Sequence, residues 1–135
     1  MARRRKSTKF RRLLKEHKQY EYETSMQDCR FWFDLLNEEL FDNELSRVSF
    51  EFKRLRTCWA YYEYFPRIPG RPKTIIMHER YPTQKLFVEC LAHEMVHHWQ
   101  YKNLGWKKVD HGAEFLDWCK KAKRLGLRMG EEQDE

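Results

Sequence analysis

Residues 90–100 read CLAHEMVHHWQ, with two histidines four positions apart, His93 and His97, and a glutamate, Glu94, directly after the first. This pattern constrains the chain more than any other stretch. On a helix, residues i and i+4 stand one above the other, so both imidazoles can face a single metal ion. Glu94 follows about 100° further round, beside the ion and within reach of a water bound there. The arrangement is H-E-x-x-H, in which two histidines hold zinc and the glutamate is the general base. Leu86, Cys90, His93 and His97 form a stripe at spacings of 4, 3 and 4. Its apolar half should anchor in a core and carry the histidines to the same side.

Two histidines are not enough. A catalytic zinc has three protein ligands and one open position, and it lowers the pKa of its water to about 7. A third histidine at residue 103 would make a metzincin, but that position is Asn103, and Gln100 stands where the pattern needs glycine. The downstream candidates are Asp110, His111 and Glu114. His111 precedes Gly112 at the start of a last helix, and the residues after His97 are numerous enough to fold back over the first. Glu114 lies one turn beyond, as a ligand or as an acceptor for a ligand histidine. His98 points elsewhere on its helix and is expected at the surface or in a lid contact.

The rest of the chain supplies a frame. Phe31, Leu35, Leu36 and Leu40 recur at helical spacing, which predicts a helix over 19–41, broken at Asp42-Asn43. RVSFEFKRL (47–55) alternates and reads as a strand, and TCWAYYEYF (57–65) reads as a second, rich in aromatics. PRIPGRPK (66–73) is a loop, and KTIIMH (73–78) is a third strand. The third strand precedes the H-E-x-x-H helix and is expected to offer an open edge to an extended peptide. Thr83 is an N-cap for a helix that runs to about Asn103, and Gly105-Trp106 breaks it. HGAEFLDWCKKAKRLG (111–126) is the last helix, with Gly126 past its end. Trp59, Tyr61, Tyr62 and Tyr64 should divide between core and cleft, core being the better expectation for each.

Charge is unevenly placed. Residues 1–18 hold nine Lys or Arg against one acid, although the whole chain carries only +6. The expected organisation is therefore a basic, disordered arm over 1–18, one domain over 19–126 and an acidic tail over 127–135. Arg3, Arg4, Arg5, Lys6, Lys9, Arg11 and Arg12 are the candidates for sequence-independent contact with DNA phosphates. A solubilising tail and a transit peptide are the competing readings of the same block. No element that reads bases is visible. The four cysteines, Cys29, Cys58, Cys90 and Cys119, are too far apart for a zinc ribbon. With no apolar signal segment and no run of membrane-span length, the expected location is a reducing, cytoplasmic one without membrane association.

LNEELFDNEL, TCWAYYEY, TIIMH, LAHEMVHHWQY and DHGAEF together resemble the SprT-like metalloprotease domain, over about residues 28–125. That family pairs H-E-x-x-H with a later His-Gly-x-x-Phe, here His111-Gly112-Ala113-Glu114-Phe115. The resemblance implies one Zn2+ held by His93, His97 and His111, with Glu94 as catalytic base, and it favours His111 over Glu114. Glu114 then becomes a candidate to support a ligand. Ala60 stands where many members have glycine, and the sequence is similar to minimal bacterial or phage members without a C-terminal zinc-binding module. The implied fold class is α+β and zincin-like: an N-terminal helix, a three-stranded antiparallel sheet, the H-E-x-x-H helix and a C-terminal helix.

The implied activity is zinc-dependent endopeptidase cleavage of protein substrates. Members related to Spartan digest proteins crosslinked to DNA, so DNA-associated proteins are the substrate class that the resemblance adds. The implied setting is nucleoid-associated, or the host cytoplasm for a phage protein. Two rivals stand against it. One is a non-enzymatic DNA-binding protein whose structural zinc is closed by a fourth ligand such as Asp110. The other is an inactive partner-binding scaffold. Both would make Glu94 dispensable.

Overall fold

The computed structural model describes Phe10 and residues 21–130. Strand β1 is Tyr22–Glu23, helix α1 is Met26–Phe41, and β2 (Ser49–Lys53), β3 (Ala60–Glu63), β4 (Thr74–His78) and β5 (Arg80–Tyr81) follow. Helix α2 is Gln84–Leu104, a 3-10 turn covers Trp106–Lys108, and α3 is Ala113–Lys123. No helix among the described residues is long and apolar enough to cross a membrane.

The first helix begins later than its apolar spacing predicts. Tyr22 and Glu23 pair antiparallel with Tyr81 and Arg80, and Thr24 donates to the Glu79 carbonyl at 2.9 Å. The backbone is therefore still extended, and Ser25 caps α1 by accepting from the Asp28 N–H at 3.1 Å. The cap satisfies a donor that the first turn leaves unpaired. The buried face agrees with the expected one at Leu36 and Leu40 and departs from it at Phe31 and Leu35. Cys29, Trp32, Phe33, Leu36 and Leu40 are buried, while Phe31 is 51% exposed. The helix ends as expected at Asp42 and Asn43, both left-handed with φ 53° and 60°, a conformation these two residue types tolerate.

The main sheet is mixed and not antiparallel as expected. Its strand order is β2-β4-β3, with β4 parallel to β2 and antiparallel to β3. β3 returns beside the place β4 will fill, so β4 inserts between two strands that precede it in sequence. The unbroken apolar run Ile75-Ile76-Met77 suits this position, because a central strand is covered on both faces. β4 consequently has no open edge. Among the described residues β3 pairs only with β4, so the free edge next to the H-E-x-x-H helix belongs to β3.

Helix α2 is the centre of the molecule. Thr83 caps it as expected, accepting from the Leu86 N–H at 3.1 Å. Residues 87–98 are buried without interruption, so the helix is covered all round, and Leu86, the start of the expected stripe, is only half-buried. The C-terminal end follows the expected cap. Gly126 takes φ +84°, its N–H donates to Lys123, and the Leu127 N–H donates to Ala122, the paired bonds of a Schellman ending.

The folded body extends beyond residues 19–126. Leu127 is buried, and the Arg128 N–H donates to Glu89 Oε2 at 2.6 Å. Phe10, within the basic stretch, is buried and meets Trp32 edge-on at 5.5 Å between ring centroids. The other residues of 1–20, and 131–135, lie outside the described part.

Candidate metal centre

His93 and His97 project from successive turns of α2, and His111 arrives from the segment between the 3-10 turn and α3. The three ring centroids form a near-equilateral triangle with sides of 4.9, 5.1 and 5.0 Å. One nitrogen from each ring lies within 4.8 Å of the others. His93 Nε2 and His111 Nε2 are 3.1 Å apart. Two nitrogens sharing a tetrahedral zinc at the usual bond length would be about 3.3 Å apart. The donor set therefore fits zinc in chemistry and in spacing.

Phe115 supports all three rings from below. It is fully buried, and its centroid is 4.7 Å from His93, 5.5 Å from His97 and 4.7 Å from His111. The His-Gly-x-x-Phe spacing explains this. Phe115 lies one helical turn after His111, so the start of α3 brings the third histidine and its apolar floor together.

His97 has an oriented tautomer. Its Nδ1 lies 2.8 Å from the side-chain oxygen of Gln100, an acceptor, so Nδ1 carries the hydrogen and Nε2 keeps its lone pair for a metal. Gln100 is fully buried, and its amide nitrogen donates to the Asp110 carbonyl at 2.9 Å. In the sequence Gln100 stands out only as the absence of a glycine. Its place three residues after His97, one turn along the same face, is the signal that points to this role.

The remaining expected residues separate clearly. Glu94 is fully buried next to His93, with both carboxylate oxygens shut off from solvent. Glu114 is exposed on the first turn of α3. Asp110 accepts from the Gly112 N–H at 3.0 Å, which starts α3. Among the described residues the cluster that can hold a metal contains the three histidines and no fourth ligand. Arg3, Arg4, Arg5, Lys6, Lys9, Arg11 and Arg12 fall outside the described residues.

His98 is not at the surface or in a lid. It is 1% exposed, with Nδ1 2.8 Å from the Tyr62 hydroxyl and Nε2 3.0 Å from the Ser46 carbonyl. The carbonyl fixes the tautomer: Nε2 donates to Ser46, and Nδ1 accepts from Tyr62. Burial lowers the pKa of His98; the bond to the Ser46 carbonyl opposes the shift, and Lys73 and Lys102 add to it. Tyr62 is thereby tied to α2, although it stands on β3 in the wall of the cleft.

That cleft has a volume of about 580 Å³ and reaches His97 and His111. Its lining includes Arg56, Thr57 and Cys58, which lead into β3, and Tyr61, Tyr62 and Tyr64 of β3 and the residue after it. The family comparison agrees with this arrangement, since the model of the SprT-like family matches residues 29–132. The chain belongs to the SprT-like family. The match runs from within α1 through α3 and includes all three histidines. Membership is consistent with zinc metallopeptidase chemistry in this SprT-like domain, and the histidine cluster could hold a metal ion of the kind that chemistry needs. A search of curated proteins finds no match.

Proposed function

We propose that this SprT-like protein is a zinc-dependent endopeptidase. The observation that carries the reading is the convergence of His93, His97 and His111, two of which (His97 and His111) line an open cleft, with no fourth ligand among the described residues. A structural zinc is closed by four protein ligands, and a catalytic one keeps a position for water and substrate. The engagement of Asp110 with Gly112 counts against the structural alternative.

Bound Zn2+ supplies Lewis-acid activation of water and of the scissile carbonyl. The three imidazoles of His93, His97 and His111 would hold it as neutral ligands, with the His97 ring oriented by Gln100. Glu94 takes a proton from the attacking water as the new C–O bond forms. It returns that proton to the amine nitrogen as the C–N bond breaks. The free edge of β3 lies along the same cleft, and an extended peptide can pair with it as an added strand.

The substrate class we favour is protein bound to DNA, with the chain in a nucleoid-associated, cytoplasmic setting. The basic residues Arg3 to Arg12 support it by their charge. Two acid-free stretches of the folded part add to it: 64–73 with Arg67, Arg71 and Lys73, and 101–108 with Lys102, Lys107 and Lys108. They meet where the Tyr64 ring lies 4.9 Å from Tyr101, beside the cleft. Exposed Trp106 offers a face on which a base could stack.

The decisive experiment compares the wild-type protein with Glu94→Gln on an unfolded protein and on a DNA-binding protein, with and without DNA and zinc. Zinc-dependent cleavage lost in Glu94→Gln supports the reading. Equal cleavage by both forms removes it.

A further inference from the structure

We infer that Gln100 is a positioning residue that couples the third metal ligand to the second, an inference that rests on the zinc reading above. The loop after α2 must bring His111 back over a helix it has just left. Gln100 holds both ends of that loop. Its backbone carbonyl accepts from the Gly105 N–H at 3.1 Å, where the loop starts. Its side-chain amide nitrogen donates to the Asp110 carbonyl at 2.9 Å, where the loop ends and one residue before His111. Its remaining side-chain atom, Oε1, accepts from His97 Nδ1 at 2.8 Å. A primary amide has a donor and an acceptor at one end, and here each serves a different ligand.

The alternatives fail on chemistry. Glutamate keeps the acceptor for His97 but cannot donate to the Asp110 carbonyl when ionised. Methionine keeps the length and loses both bonds. Asparagine is one methylene short. Full burial of Gln100 means that water is not at hand to replace either bond. The fold thus builds the site so that the His97 ring and the His111 backbone are set by one side chain.

The test measures zinc affinity by chelator competition and amide hydrogen exchange over 105–112, on the full chain. The forms compared are wild type, Gln100→Met and Gln100→Glu. Gln100→Met should bind zinc about 10–100-fold more weakly, the usual effect of losing a support for a ligand. Its loop should exchange faster even without metal. Gln100→Glu should loosen the loop as much and lose less affinity, because His97 keeps its partner. Affinities within twofold of wild type, with unchanged loop exchange, overturn the inference.

A wild type that binds no zinc removes the zinc reading instead. A measurement on wild type alone covers the case in which the variants do not fold. Nitrogen NMR of the zinc-free protein should show His97 protonated at Nδ1 with a slowly exchanging hydrogen. Protonation at Nε2 alone overturns the inference.

Discussion

The Tyr62 hydroxyl donates to Nδ1 of His98 across 2.8 Å. This joins the cleft-side strand β3 to the ligand-bearing helix α2 at the residue next to His97. Removing the hydroxyl with Tyr62→Phe leaves a buried ring nitrogen without its donor. The expected cost is about 1–3 kcal/mol. Urea unfolding of the zinc-free protein measures it, and an unchanged midpoint would show that the bond contributes nothing.

His98 also gives stability a pH dependence. Its folded pKa lies below the ordinary value of 6.5 because of burial, so the unfolded chain binds protons that the folded one refuses. The stabilisation is complete above the unfolded pKa and is lost as pH falls below it towards the folded pKa. His98→Gln should flatten this part of the curve. Thermal midpoints of both forms between pH 8 and pH 5 provide the check. Parallel curves would mean that His98 does not titrate as described.

Glu94→Gln should abolish peptide cleavage while leaving zinc bound, since the amide cannot take a proton and the three ligands are untouched. General-base removal costs about 10²–10⁴-fold in rate. Metal content and cleavage rate measured on the same preparation separate loss of the base from loss of the metal.

Phe115→Ala removes the floor beneath the three rings. A buried phenylalanine truncated to alanine costs about 3–5 kcal/mol. The expected result is a lower melting temperature together with weaker zinc binding. Phe115→Leu should restore most of the stability and less of the affinity. Calorimetry with chelator competition distinguishes the two effects.

The basic arm should be tested by charge and not by deletion. Phe10 is part of the core, so removing residues 1–18 would damage the fold as well as the charge. Changing Arg3, Arg4, Arg5, Lys6, Lys9, Arg11 and Arg12 to glutamine keeps Phe10. The salt dependence of DNA affinity should fall by about 0.9 in log–log slope for each phosphate that is no longer neutralised. An unchanged slope would assign binding to another surface.

Much of this site is legible in the sequence because its signals are local. The pairing of His93 with His97 follows from helical spacing. His111 needs the family resemblance, since residues 110, 111 and 114 all offer ligating groups. The features that the sequence hides depend on where distant segments meet. Gln100 acts on Asp110 across a loop. His98 is buried by Tyr62 and Ser46, which no pattern around residue 98 reveals. In the fold, apolar spacing finds the three strands of the main sheet and the helices, but it misses the short pair β1 and β5 and does not give the strands' partners. It extends α1 back through residues that are held straight by β5, and it leaves the direction of β4 undetermined. A continuous apolar run is the one sign that β4 is central.

The position of β4 has a consequence for how the chain assembles. β2 and β3 do not pair with each other; each pairs only with β4 among the described residues. On a ribosome, both strands are made before their shared partner exists. They stay without a ladder until residues 74–78 emerge, and the helix that carries His93 and His97 is synthesised only after that. Sheet and metal site therefore form late and together, through contacts between distant segments that are slow to close. A fragment ending before residue 74 should lack the main sheet, because β2 and β3 would both be without their shared partner.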